Sequence, residues 1–380
     1  MASPLDLSSL NLGGVGSSSE ASRRESLGQF GRMVSSVRRL LGSRAASEVM
    51  NSAPLAEGLK RQALAIMTTR PQDFEGGYAR IWLVKNVPEG EVVYAIKAAK
   101  KESEGTPSHE IMQNELFREA VALKCLKHPN IVELLGTCQH PSLGIILVQG
   151  LMDGSLHELF EELEGIPVTT VHHIGCDVSA GLRFIHHQHL THGDLQEGNV
   201  LYRKEEKGTF SFRIADFGSS SRVGERRPPS GNVYLPPEVS SYWKKQFSAH
   251  FVSKPSACTE SDVWAFGAMI LRLLLVVSPA ELGLWISRLA RISIEEERET
   301  EAQCLERMSG LAVREQKLCR EPVPDNLRDW VHGVLRAMSG CLSLRLESRP
   351  SIDEVNRRLQ DISLRMVSPG KDRGGKQKAE

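Results

Sequence analysis

Apolar residues at Leu27, Phe30, Val34, Val37 and Leu41 recur in steps of three and four, which predicts an amphipathic helix over residues 22–42. Ser22 and Glu25 stand in capping-box spacing at its start, and Gly42 marks its end. Arg32, Arg38 and Arg39 line the opposite face. This helix is expected to dock on the main domain, with peripheral contact to a membrane or a partner protein as the alternative. Residues 1–20 carry Ser, Gly and Leu without a period and read as a disordered leader. A second short helix is expected over residues 54–67. Strand-like runs follow at 80–85, 92–98, 131–135 and 144–149, and helical patterns dominate from 168 to 364. A small β-rich half ahead of a larger α-rich half predicts an α+β protein of two lobes with a cleft between them. The Gly- and Lys-rich residues 367–380 read as a disordered basic tail.

Composition narrows the function classes. With 47 basic and 47 acidic residues the net charge is zero, so no overall field draws the chain to nucleic acid. The 7 cysteines include no C-x-x-C pair, which argues against a zinc ribbon or a disulfide framework. A reducing compartment, cytoplasmic or nuclear, is expected. The first residues lack the order of a signal peptide, and Ala2 argues against N-myristoylation. The apolar stretch from Met269 to Val277 contains Arg272 and suits a buried core helix better than a membrane span. Arg23-Arg24-Glu25-Ser26 has the form of a basophilic phosphorylation site.

Chemistry gathers in two places. Lys97 ends the strand-like Tyr94-Ala95-Ile96-Lys97, and Glu119 lies farther on in the helical segment from Phe117 to Leu123. A strand lysine facing a helix glutamate can form an ion pair that aims the ammonium at phosphate oxygens. The plainer reading is a surface pair of little energetic weight. The second place is His192-Gly193-Asp194-Leu195-Gln196-Glu197-Gly198-Asn199-Val200, followed by Asp216-Phe217-Gly218. A hairpin predicted between them, Val200–Arg203 with Ser211–Ala215, turns the chain back so that Asp194, Asn199 and Asp216 converge. An Asp there can orient and deprotonate a hydroxyl, while an Asn and a second Asp can hold magnesium through oxygen.

This order and spacing resembles the eukaryotic protein kinases over residues 73–366, with a small lobe at about 73–149 and a large lobe at about 152–366; residues 21–72 would form a helical extension. The resemblance implies a two-lobed kinase fold that moves the γ-phosphoryl group of Mg-ATP to a hydroxyl on a protein substrate, serine or threonine ahead of tyrosine. ATP and magnesium would be its cofactors. It further implies that Lys97 holds phosphates with Glu119 behind it, that Asp194 is the catalytic Asp, and that Asn199 and Asp216 bind the metal. Gly76, Gly77, Ala79, Ile81, Ala95 and Leu201 would surround the nucleotide. Val148 would be a small gatekeeper, and the backbones of Gln149 and Leu151 would meet adenine. Tyr234 to Glu238 resembles the anchor of the activation segment, and Ser261 to Gly267 the central helix whose Asp262 braces the catalytic loop. Arg349 would pair with Glu238.

Several positions depart from the family pattern. Where three loop glycines are expected, Phe74, Gly76 and Ala79 stand, which predicts weaker ATP handling. Gly193 replaces an arginine that receives a phosphorylated activation segment, so switching by phosphorylation of residues 216–238 is not expected. Gln196 replaces a lysine that steadies the phosphoryl group, a contact worth about 1.5–3 kcal/mol. Gly231 stands where Ser/Thr kinases carry a threonine. Two rivals stay open. His-Gly-Asp-Leu-x-x-Gly-Asn is closer to the loop of small-alcohol phosphotransferases, and a pseudokinase would keep the fold as a scaffold. Asp216-Phe217-Gly218 and Pro237-Glu238 oppose the first; joint retention of Lys97, Glu119, Asp194, Asn199 and Asp216 opposes the second. His172, His173, His186, His187, His189 and His192 are expected to be core and helix-end residues rather than metal ligands. The charged loop 100–109 reads as a mobile connection between strand and helix, with a hinge on which the Glu119 helix swings as the alternative.

Overall fold

Alternation of side chains along antiparallel strands builds the first lobe. The computed structural model describes residues 54–69, 71–75, 79–84, 93–100, 107–140, 143–163, 166–206, 208–226, 234–240, 255–292, 303, 306 and 327–367. The basic helix expected over 22–42, Ser26, Gly76, Gly77, Gly231 and the C-terminal tail lie outside these residues. Strands β1 (Phe74–Glu75), β2 (Ala79–Val84), β3 (Tyr94–Ala99), β4 (Leu134–His140) and β5 (Gly144–Gly150) form one sheet in the order β1-β2-β3-β5-β4. Directly opposed residues share a face. Ile81 and Leu147 therefore flank Lys97, and Leu83 and Gln149 flank Ala95. Tyr94, Ile96, Trp82 and Val148 point the other way.

A helix covers each face. On the outer face lies α1 (Glu57–Thr69), whose Ala63 is fully buried against a cluster holding Leu55, Trp82, Tyr94, Ile96 and Val148. Leu55 N–H donates to the Thr137 carbonyl at 3.1 Å, fixing the approach. The second N-terminal helix thus shares the small lobe's core. On the inner face α2 (Pro107–Cys125) packs Met112, Leu116 and Ala120 into the cluster that contains Ala99, Ile145 and Leu147.

The strand expected at 131–135 is displaced. Val132 N–H donates to the Ile214 carbonyl at 2.9 Å, tying residues 130–132 to the other lobe, and β4 begins only at Leu134. One apolar run is shared between two lobes, while polar Gln139 and His140 continue the strand through backbone pairing that hydrophobicity does not signal.

The second lobe surrounds α4 (Val168–His187) and α5 (Thr259–Leu275), with α3 (Leu156–Glu162), α6 (Pro279–Ile292), α7 (Leu327–Cys341) and α8 (Ile352–Val367) around them. Every residue of α5 from Asp262 to Leu275 is buried, so the apolar stretch around Arg272 is a core helix. No single helix among the described residues is long and apolar enough to cross a membrane. The strands β6 (Gly154–Ser155), β8 (Val200–Lys204) and β9 (Phe210–Ile214) form a three-stranded sheet. β7 (Leu190–Thr191) pairs with β10 (Ser221–Arg222) beside it. The hairpin β8–β9 lies where it was expected and returns the chain from Asn199 to Asp216.

Candidate active site

Lys97 sits on the inner face of β3 and meets two carboxylates. Its Nζ lies 2.7 Å from Glu119 Oε2 on α2 and 3.2 Å from Asp216 Oδ2. Burial opposes the charge of the ammonium, but Asp216 and Glu119 outweigh it and hold the Lys97 pKa above its ordinary value. Between the lobes Asp216 loses hydration, yet the Lys97 charge and hydrogen bond keep its carboxyl below the usual range. The other oxygen of Glu119 accepts from Gln149 Nε2 at 2.8 Å. This pair is far from the plain surface ion pair, since Glu119 is 1% exposed.

Asp194 stands on the loop after β7. Asn199 Nδ2 donates to its Oδ2 at 3.0 Å and to its carbonyl at 2.7 Å. Because a carboxylate and a carbonyl can only accept, the amide nitrogen must face Asp194, which leaves the Asn199 carbonyl oxygen as a donor for a cation. Gln196, in place of the expected lysine, donates to Asp194 Oδ2 at 3.3 Å. The loop is braced from below. Asp262 on α5 accepts from His192 N–H and Gly193 N–H, both at 2.8 Å, and lies 3.0 Å from His186 Nε2. Phe217 is fully buried and meets the His192 ring edge-on at 5.1 Å.

Asn199 and Asp216 offer hard oxygen donors, the chemistry that suits magnesium. Among the described residues no group of three or more His, Cys, Asp or Glu side chains is gathered for a metal. A cation here would therefore complete its coordination with phosphate and water oxygens, as nucleotide-bound magnesium does. The residues fit that group.

Glycine at 193 has a local cause. Its φ is +78°, and a Cβ would stand 2.8 Å from the Ser219 carbonyl oxygen. An arginine here would have to displace backbone.

The large lobe is tied together by two buried arginines. Arg349 grips Glu238 with two bonds of 2.8 Å each, as expected from the sequence, and lies over the Trp264 ring. Arg272 donates to Glu197 Oε1 at 2.8 Å, and the Tyr234 hydroxyl donates to the same oxygen. The Arg272 guanidinium also lies over Phe160 at 5.1 Å. This trio joins the catalytic loop, the central helix and the end of the activation segment.

A family model described as "Protein kinase domain" matches residues 75–358, about three quarters of the chain. The chain belongs to the protein kinase family. It is 26% identical over 199 residues to dual specificity testis-specific protein kinase 1 of Homo sapiens, covering 52% of this chain and 30% of that protein. Mitogen-activated protein kinase kinase kinase 3 of Arabidopsis thaliana is 28% identical over 204 residues, covering 52% and 29%. Sporulation protein kinase mde3 of Schizosaccharomyces pombe is 27% identical over 209 residues, covering 52% and 35%. The matches thus span about a third of these relatives' length.

Within this kinase domain one nucleotide-side expectation needs correction. Val148 does not face the cleft: it pairs with Ile96 and is buried in the outer cluster under α1. The cleft-facing side chain at the gatekeeper position is Gln149, because it shares the face of Ala95 and Lys97. The Leu151 carbonyl accepts from Arg203 on β8, which joins the lobe connection to the hairpin. Ile81 and Ala95 share the face of Lys97, and Ala79 is buried opposite Ala99. Leu201 sits on β8 between Ser155 and Arg213. Of the histidines, His173 is exposed on α4 beside Asp177, while others sit in the core or near the helix end. His172 reaches the Leu359 carbonyl at 2.9 Å, His187 meets Asp353 at 3.0 Å, and His192 meets the Ala215 carbonyl at 3.0 Å.

Sequence reasoning missed the Gln149 side chain and the Glu197–Arg272–Tyr234 trio. Counting by twos along paired strands from Lys97 finds the first only when the β3–β5 register is known. The second had a signal: a lone arginine in an apolar helix demands a buried acid.

Proposed function

We propose that this protein is an active kinase that transfers the γ-phosphoryl group of ATP to a hydroxyl on a protein, with serine or threonine preferred over tyrosine. The observation that carries this reading is the joint arrangement around Lys97: Glu119 at 2.7 Å and Asp216 at 3.2 Å, with Asn199 folded onto Asp194 at 3.0 Å. A scaffold has no need for all five groups in working relation. When bound, Mg-ATP supplies the phosphoryl group and the metal charge that neutralises it. Lys97 orients phosphate oxygens, and Glu119 fixes the direction of its ammonium. Asn199 and Asp216 would hold the metal through oxygen. Asp194, its carboxylate aimed by Asn199 and Gln196, positions the acceptor hydroxyl and receives its proton. Catalysis rests on positioning and electrostatics, with no covalent intermediate on the protein. We place this activity in the cytoplasm.

The test is label transfer from γ-labelled ATP with magnesium, comparing the wild type with Asp194→Ala. Peptides bearing Ser, Thr or Tyr, and a panel of small alcohols, serve as acceptors. Label on Ser/Thr peptides from the wild type alone supports the proposal. Label on alcohols only, or on nothing, overturns it.

A further inference from the structure

Strand β5 is buried on both faces and reads Ile145-Ile146-Leu147-Val148, and then its apolar run breaks at Gln149. A polar side chain in such a strand requires a partner, and this one is 7% exposed. Its amide donates 2.8 Å to Glu119 Oε1, while Lys97 takes Oε2 at 2.7 Å. Both oxygens of the helix carboxylate are thereby engaged from the sheet, which fixes its rotation as well as its position.

A second amide works at the other end of the same strand. Gln113 Nε2 donates to the Leu143 carbonyl at 2.6 Å, and its Oε1 accepts from Ile145 N–H at 2.9 Å. Gly144 makes room for it: its φ is +70°, and a Cβ there would stand 2.1 Å from the Gln113 amide oxygen. Gln113 and Glu119 lie six residues apart, about 9 Å along the helix axis. Helix α2 is thus bolted to both ends of an interior strand. The loop read as a mobile connection ahead of it lies partly outside the described residues, but these two contacts hold the helix itself.

We propose that Gln149 is a positioning residue for phosphoryl transfer, holding Glu119, and through it Lys97, in the productive geometry, with Gln113 as its counterpart at the start of β5. This inference rests on the kinase reading above. The charged groups that face Glu119 are Lys97 from β3 and Asp216 from the segment after β9. Burial drives the Glu119 pKa up, and Lys97 and the Gln149 amide restrain it. Removing the amide therefore makes the carboxylate take up a proton at higher pH.

The experiment compares the full chain with Gln149→Met, which keeps length and loses the donor, and with Gln113→Met, which lies outside the catalytic groups. Label transfer is measured against pH, and hydrogen exchange of α2 amides is measured without nucleotide. We expect kcat/KM to fall about tenfold to a hundredfold in Gln149→Met, with the acid limb of the rate profile displaced upward. Exchange in α2 should quicken in both variants, and the combined variant should lose less than the product of the two. An unmoved acid limb with unchanged rate overturns the proposal even if exchange quickens, because the amide is then only packing. Unchanged α2 exchange in both variants also overturns it. A wild type that transfers no label sinks the kinase reading, and the positioning role falls with it. Quickened exchange would in that case still report the bolted helix on its own.

Discussion

Replacing Arg272 by Met tests the buried trio most directly. Arg272 is 8% exposed and Glu197 is 4% exposed, so the substitution strands a carboxylate inside the large lobe. Removing one partner of a buried pair costs about 3–5 kcal/mol. The Tyr234 hydroxyl remains as a donor to Glu197, which places the loss near the lower end, about 3 kcal/mol. At this chain length each kcal/mol lowers the melting temperature by about 1.3 °C, so a fall of roughly 4 °C is expected. Adding Glu197→Gln removes the stranded charge while keeping an acceptor for Tyr234. The double variant should regain about 2 kcal/mol over the sum of the singles. Urea denaturation of the four proteins, read as midpoints at constant slope, measures that coupling. Additivity within about 0.5 kcal/mol would refute the claim that these residues act as a unit.

Other outcomes follow from the same contacts. Ala63→Asp places an unpaired charge in the fully buried contact between α1 and the sheet. It should cost about 2 kcal/mol or more, seen as a lower urea midpoint, whereas an unchanged midpoint would mean that α1 is dispensable to the small lobe. Acid should unfold the protein through carboxylates held below their ordinary values. For Asp262 burial works against this, and the hydrogen bonds from His186 and the Gly193 backbone outweigh it; for Glu238 the bidentate Arg349 does so. Their stabilisation is complete above the ordinary values of 3.8 and 4.5 and is lost as pH falls through the lower folded values. Urea midpoints measured down to about pH 3 should therefore drop less steeply in Glu238→Gln than in the wild type. Asp216→Ala should abolish label transfer while leaving the fold intact by circular dichroism, since its carboxylate serves the cleft rather than the core.

The candidate groups were legible because chemistry limits their type and the resemblance to protein kinases supplied their order. Phosphate needs a cation such as Lys97, magnesium needs oxygen donors such as Asn199 and Asp216, and a hydroxyl needs a base such as Asp194. The hairpin of β8 and β9 follows from alternation and a polar turn, both local properties of the chain. Arg349 and Glu238 were also legible as a pair, although they stand 111 residues apart, because each sits in a recognisable string. What stayed hidden depends on register and on which face a side chain meets. Shifting one residue along β5 exchanges Val148 for Gln149 at the cleft, and nothing in the run Ile145 to Gln149 says which parity faces Lys97. The strand beginning at Leu134 was misplaced for a similar reason, since Ile131 and Val132 satisfy their hydrophobicity in the other lobe. Residue types and spacing named the candidate groups. Only tertiary packing, by setting the β3–β5 register and closing α2 over it, decided which neutral side chain would hold Glu119, because an amide's role depends on what stands opposite it.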